Sequence, residues 1–230
     1  MAGWGSGAGK SAISEVLLSF LLSSGFDASE ISYIKPVTQC ENLGRIASFC
    51  ALHNVAAVPI GPVVFRPGVT NDAIGDSNFI EVRHAFLRDA VSAVADIAIE
   101  KKFVIVDGVG YPTVGSCVGV GNGDLANAIE AKVLLVAPNG LGDAIDTFEL
   151  MHAYFQVKKC EIIGVIFNRR KDTSRHRRDE TDPLVEKYMN ELHPHMFVGF
   201  LPEFDNREDW VDSAKSLLNL QALFERAALS

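Results

Sequence analysis

The sequence predicts an α/β fold: one domain over residues 1–230, built on a mainly parallel β-sheet with helices on both faces. Three observations predict it. Phe103-Val104-Ile105-Val106, Lys132 to Ala137 and Ile162 to Phe167 are short, almost wholly apolar runs, the mark of strands covered on both sides. Segments of helical period separate these runs, as crossover connections between parallel strands require. The balance of 48% apolar and 22% charged residues is that of a folded domain, which excludes a disordered, collagenous or coiled-coil chain.

Element by element, Val16, Leu17, Phe20 and Leu21 recur at helical spacing after Lys10-Ser11, and Ser23-Ser24-Gly25 stops that helix. Ile31 to Ile34 is a short strand closed by Lys35-Pro36. Leu43 to Leu52 reads as a helix, and the three prolines between Pro59 and Pro67 make an irregular, extended segment. Ile80 to Ala98 carries Phe86, Val91, Val94 and Ile97 at helical period. After the 103–106 strand, Gly108 to Gly123 is a glycine-dense loop leading to a short helix at Leu125 to Ile129. The later part reads as strand 132–137, helix 142–155, strand 162–167, a charged loop 169–180, helix 183–192, strand 196–201 and one closing helix 210–228.

The formal charge of −8 gives no global attraction for nucleic acid or anionic lipid, so any anion must be held locally. No apolar run is long enough to span a membrane, and Ala12 to Leu22 carries Glu15, which reads as a helix rather than a secretion signal. The four cysteines, Cys40, Cys50, Cys117 and Cys160, lack zinc-type spacing and read as reduced thiols, which places the chain in a reducing, cytoplasmic compartment. The six histidines show no metalloprotease pattern, and Ser6 has no hydrolase triad around it.

Gly3-Trp4-Gly5-Ser6-Gly7-Ala8-Gly9-Lys10-Ser11 carries the most chemistry. Its glycines let the backbone N–H groups of Gly5, Ser6, Gly7, Ala8 and Gly9 converge on one point, where a helix begins with its orphan N–H groups. Lys10 can reach β- and γ-phosphates and the Ser11 hydroxyl can bind Mg²⁺, the logic of a P-loop. Five residues separate Gly3 from Gly9-Lys10 where the usual pattern has four. Only Met1-Ala2 precede Gly3, so the strand that leads into such a loop is expected to be missing or truncated. Asp107 follows a buried strand, at the edge where open α/β sheets bind ligands, and Lys35 follows another.

The five-residue spacing resembles the phosphate loop of dethiobiotin synthetases and the related cobyrinic acid a,c-diamide synthases. Four further segments resemble that superfamily in its order: Ile34-Lys35-Pro36-Val37, Val106-Asp107-Gly108-Val109-Gly110, Gly164-Val165-Ile166-Phe167-Asn168 and Gly199-Phe200-Leu201-Pro202-Glu203. The resemblance implies a P-loop NTPase-like fold and an ATP- and Mg²⁺-dependent ligase, a homodimer acting on a small molecule in biotin biosynthesis. In such enzymes a diamine becomes a carbamate, is phosphorylated by ATP and closes to a cyclic urea. It implies Lys10 on the phosphates, Ser11 and Asp107 on the metal, and Lys35 stabilising charge on the carbamate and the transferring phosphoryl group. It also implies Asn168 on the adenine edge, with the Pro202 turn beside the nucleotide. Glu41 is the nearest match to a further metal carboxylate, with Asp72 a later candidate.

The departures fall on the substrate side. Gly7 replaces the loop's acidic residue, Thr38-Gln39-Cys40 replaces small residues, and Asp107 stands where the family has Glu. They leave open a second reading, a non-catalytic nucleotide-binding regulatory module of the same superfamily. Arg169, Arg170, Lys171, Arg175, Arg177 and Arg178 form a basic cluster diluted by Asp172, Asp179 and Glu180. It reads as a solvated loop, with a lid over bound phosphates and a nucleic-acid arm as the alternatives.

Overall fold

The structure is a computed structural model that describes residues 1–39, 43–172, 177–204 and 210–228. The chain divides into two compact units, Met1–Ala131 and Lys132–Ser230.

The first unit opens with a two-residue strand, β1 (Ala2–Gly3), where the sequence predicts a missing or truncated one. The phosphate-loop candidate follows and runs into α1 (Lys10–Ser23). Next come β2 (Ile31–Ile34), β3 (Val37–Thr38), α2 (Gly44–Leu52), β4 (Ala56–Val58) and β5 (Val63–Val64). α3 (Val69–Gly75), α4 (Phe79–Ala98), β6 (Phe103–Val106) and α5 (Asn122–Ala128) complete the unit. β2 lies between β4 and β6, parallel to both, and β3 pairs parallel with β5.

The register of the β2–β6 pair is the fact that builds the site. Ile31 is level with Phe103 and Ile34 with Val106. In a parallel pair, residues that are level leave the sheet at the same edge. Lys35 and Asp107, one residue further on each strand, therefore emerge side by side, with the Asp107 amide donating to the Ile34 carbonyl at 2.8 Å. The amino terminus is stitched to the same edge: the Met1 nitrogen donates to the Val106 carbonyl at 2.6 Å and the Gly108 amide to the Met1 carbonyl at 2.9 Å. A core of Val37, Val63, Ala73, Ala90, Val109 and Val114, with α4 packed over it, holds the loops beyond this edge.

The extended segment 59–67 is less irregular than its prolines predict. Gly61 lies so close to Lys35 and Pro36 that a Cβ there would be 2.6 Å from the Lys35 carbonyl oxygen. That approach lets the Gly61 amide bond the Lys35 carbonyl at 3.0 Å and brings Val63 level with Val37.

The second unit contains β7 (Val133–Ala137), α6 (Gly142–Val157), β8 (Ile162–Arg170), α7 (Arg178–Leu192), β9 (Phe197–Pro202), α8 (Trp210–Leu217) and α9 (Leu220–Ala228). β8 pairs parallel with β7 and with β9. The expected single closing helix is two helices. Asn219 separates them, its side-chain oxygen accepting the Ala222 amide at 3.3 Å, as a residue at a helix start does.

Within the basic cluster Arg169, Lys171 and Arg177 are exposed, as its charge predicts, whereas Arg170 is not. β8 runs on to Arg170, whose side chain is 1% exposed. Its guanidinium donates to Asp182 at 2.7 Å through Nε, to Thr181 at 3.0 Å, and to the Gly140 carbonyl. Three of the described neighbours pair with carboxylates: Lys171 with Glu203, Arg178 with Asp172, and Arg177 with Asp179. Arg175 lies outside the described residues. The carboxylates that meet these charges lie mostly on or beside α7.

Removing Arg170 leaves Asp182, Thr181 and the Gly140 carbonyl without their buried donor. Arg170→Ala is expected to cost about 3 kcal/mol, the low end for a broken buried pair because Asp182 is 23% exposed. Denaturant unfolding of the variant against wild type checks this.

Candidate functional site

The loop from Gly3 to Gly9 packs against the helix it precedes. A Cβ on Gly3 would be 2.9 Å from the Ala8 Cβ and 3.1 Å from the Lys10 Cγ, so the tight return at this spacing needs glycine there. Ala8 is buried and its amide donates to the Gly5 carbonyl at 3.2 Å. Ser6 and Gly7 face solvent, while Gly5 and Gly9 are half-buried. Gly9 takes φ 91 as the residue capping α1, and no side chain caps that helix start. The start of α1 thus has no side-chain cap, and its dipole is of the sign that favours an anion there.

Lys10 is the first residue of α1 and is 5% exposed. Its Nζ donates to the Gly110 carbonyl at 2.7 Å and to the Gly5 carbonyl at 2.9 Å. Burial lowers its pKa to about 8; Asp107 opposes that shift and Lys35 adds to it. Its ammonium therefore spans two glycine loops, one at each end of the site.

Asp107 is the centre. Its side chain is 0% exposed, and one of its oxygens, Oδ2, takes all of its donors. Ser11 Oγ donates at 2.5 Å, Tyr33 Oη at 2.9 Å and Lys35 Nζ at 3.4 Å. Nothing among the described residues donates to Asp107 Oδ1, although it too is buried. A buried carboxylate oxygen without a partner is costly to the fold, of the order of 1–3 kcal/mol or more. A bare oxygen beside a serine hydroxyl is the hard donor set that Mg²⁺ takes, with phosphate oxygens and water filling the remaining positions. The residues present fit that cation. Among the described residues no group of three His, Cys, Asp or Glu could hold a metal by itself, so a softer, all-protein metal centre has no counterpart here.

The structure thus brings Lys10, Ser11, Lys35 and Asp107 together in the first unit. Glu41 lies outside the described residues, and Asp72 sits on α3, where Gly68 is its near neighbour. In the second unit, Asn168 and Pro202 fall on adjacent strand ends, where Arg170 is level with Pro202 and the Glu203 amide bonds the Arg170 carbonyl at 3.1 Å. Asn168 is half-buried, and its side-chain oxygen accepts the Arg169 amide at 2.9 Å. His193, also in the second unit, is part of a polar cluster, with its Nε2 2.7 Å from Glu149, which also accepts from Tyr188 at 2.9 Å.

Two contributors escape the sequence reading. Tyr33 is one, and its signal was available: it sits two residues before Lys35, so a strand's alternation puts both on one face. Asn122, at the start of α5, is the other. Its amide group donates to the Val109 and Tyr111 carbonyls at 2.8 and 3.0 Å, and its oxygen accepts the Val109 amide at 3.0 Å. One side chain thus replaces a missing strand partner and fixes the Gly108–Tyr111 loop that Lys10 reaches. Glu15, buried on α1, ties that helix to Arg45 of α2 at 3.1 Å; burial raises its pKa and Arg45 offsets the rise.

Comparison with known proteins adds the following. The family described as AAA domain matches residues 1–208. A Borrelia burgdorferi B31 protein, described as a plasmid partition protein and solved with AMPPNP bound, is 12% identical with a TM-score of 0.58, covering 98% of this chain and 98% of its own. Apo McdA of Cyanothece is 13% identical with a TM-score of 0.54, covering 97% of this chain and 92% of its own. At such identity the likeness is one of fold, the α/β P-loop NTPase-like fold that the sequence predicts. No curated protein matches the chain.

The buried Lys10 gives a pH signature. The folded chain releases this proton near pH 8, whereas an ordinary lysine holds it to 10.5. Between those values the unfolded state carries more protons, so ligand-free stability gains a rising contribution with pH, up to about 3 kcal/mol. Lys10→Met is expected to remove that contribution, read as the difference between the two stability–pH curves.

Proposed function

This chain belongs to the AAA domain family, and on that premise we propose that it binds ATP with Mg²⁺ in the first unit and phosphorylates a small anionic acceptor. The observation that carries the reading is the clustering of Ser11, Lys35 and Tyr33 on one oxygen of Asp107, with its other oxygen bare. Residues up to 96 positions apart converge there, which core packing alone does not require. Positioning and charge stabilisation are what phosphoryl transfer asks of a protein, and a hydroxyl, a carboxylate and two lysines supply them.

In this reading the loop amides from Gly5 to Gly9 and the start of α1 receive the polyphosphate. Lys10 exchanges its two carbonyl partners for β- and γ-phosphate oxygens, a charge-assisted gain. Ser11 and the bare Asp107 oxygen hold Mg²⁺, which neutralises charge on the β- and γ-phosphates when bound.

Lys35 points to the class of acceptor. It is a second cation, 21% exposed, beside the metal carboxylate, and it suits an anionic acceptor such as a carboxylate or carbamate, whose approach to an anionic phosphoryl group is repulsive. The γ-phosphoryl group passes to a carboxylate or carbamate oxygen and ADP leaves. An amine then attacks the mixed anhydride, with release of inorganic phosphate and closure of a ring where acceptor and amine share one molecule. This is the dethiobiotin synthetase-like cyclo-ligase reaction, with a homodimer as the working form.

The test is thermal unfolding with ATP and Mg²⁺, followed by ADP and phosphate release with small diamines plus bicarbonate. Wild type is expected to gain about 2.7 kcal/mol at roughly a hundred times Kd, and Lys10→Ala to lose that gain and all turnover. Tight ATP binding without ADP formation on any diamine or carboxylate would remove the ligase. The regulatory-module reading would then stand. No ATP-dependent shift in wild type would remove both.

A further inference from the structure

The geometry points to Tyr33 as the positioning residue for the metal carboxylate: its buried hydroxyl pins Asp107 Oδ2 and so aims the bare Oδ1 at the cation. The inference rests on the Mg²⁺ reading above and deepens it.

Asp107 Oδ2 has three donors, and two of them have other work. The Ser11 oxygen turns a lone pair to the cation, and the Lys35 ammonium turns to the acceptor. Both can leave, since Ser11 is half-buried and Lys35 is 21% exposed. Tyr33 is 0% exposed on β2, held between β4 and β6, with its ring in the core. Its hydroxyl, 2.9 Å from Oδ2, is the donor that the fold keeps in place when the others are drawn to ligands. A carboxylate turns about its last bond with little resistance. With one oxygen pinned from the core side, the other faces the site in every state. Side chains that orient a metal ligand in this way are typically worth roughly ten- to a hundred-fold in metal affinity.

The experiment separates this role from support of the fold. Mn²⁺ is titrated into the protein·ATP complex and free Mn²⁺ is read by electron paramagnetic resonance, with ATP alone as control. ATP affinity is measured in parallel in EDTA. Tyr33→Phe keeps the ring and removes the hydroxyl. It is expected to raise the Kd for Mn²⁺ roughly ten- to a hundred-fold and leave metal-free ATP affinity unchanged. An unchanged Mn²⁺ Kd overturns the inference. So does an equal loss of ATP affinity with and without metal, which is what a merely structural residue gives. Should Tyr33→Phe not fold, Tyr33→Met decides by the same two measurements, since a flexible side chain fills the slot without a donor. If wild type binds no Mn²⁺ with ATP, the metal reading itself fails. That outcome is distinct from one in which wild type and variant bind it alike.

Discussion

The site depends on one constraint, the level ending of two parallel strands. Ile34 and Val106 are register partners, so Lys35 and Asp107 leave the sheet together. Sheet hydrogen bonding settles this before any side chain acts. A slip of one residue would turn one of the two side chains to the opposite face. Everything else in the first unit is arranged around the carboxylate thus fixed. The Met1–Val106 and Gly108–Met1 bonds bring the phosphate loop to the same edge, and Lys10 closes the gap to the Gly110 carbonyl.

A buried, crowded carboxylate is an unusual thing for a fold to keep. The donors on Asp107 Oδ2 offset part of its burial, yet the other oxygen stays without a partner among the described residues. Such an orphan fits a group selected for a ligand rather than for the empty fold. The Asn122 clamp makes the same point from the backbone side. A loop of small residues beyond a strand end would otherwise leave the Val109 and Tyr111 carbonyls unpaired, and one amide side chain satisfies both.

Much of this was legible in the sequence. The apolar runs 103–106, 132–137 and 162–167 read as covered strands, and they are β6, β7 and the body of β8; β7 is buried throughout, whereas β6 is fully buried only at Ile105. Lys10, Ser11, Lys35 and Asp107 announce themselves by residue type next to a glycine run or a strand end. Partnerships that depend on distance in space were not legible. Val37–Thr38 and Val63–Val64 are too short to show a period, and they pair only because Gly61 admits the approach. Arg170 stands among other basic residues and looks like them, yet β8 carries it inward to Asp182. Asn122 resembles any residue at a helix start until its three loop contacts are seen.

The grip of Lys10 on the Gly5 and Gly110 carbonyls has a consequence for selectivity. An incoming anion would not meet a naked ammonium; it would have to outbid two neutral acceptors that are already in place, one of them buried. A singly charged guest such as chloride or acetate gains little from that exchange, while a polyanion that engages the lysine and the loop amides at once gains at every contact. In the proposed reading this latch would act as a threshold, admitting guests by the number of charges they present together.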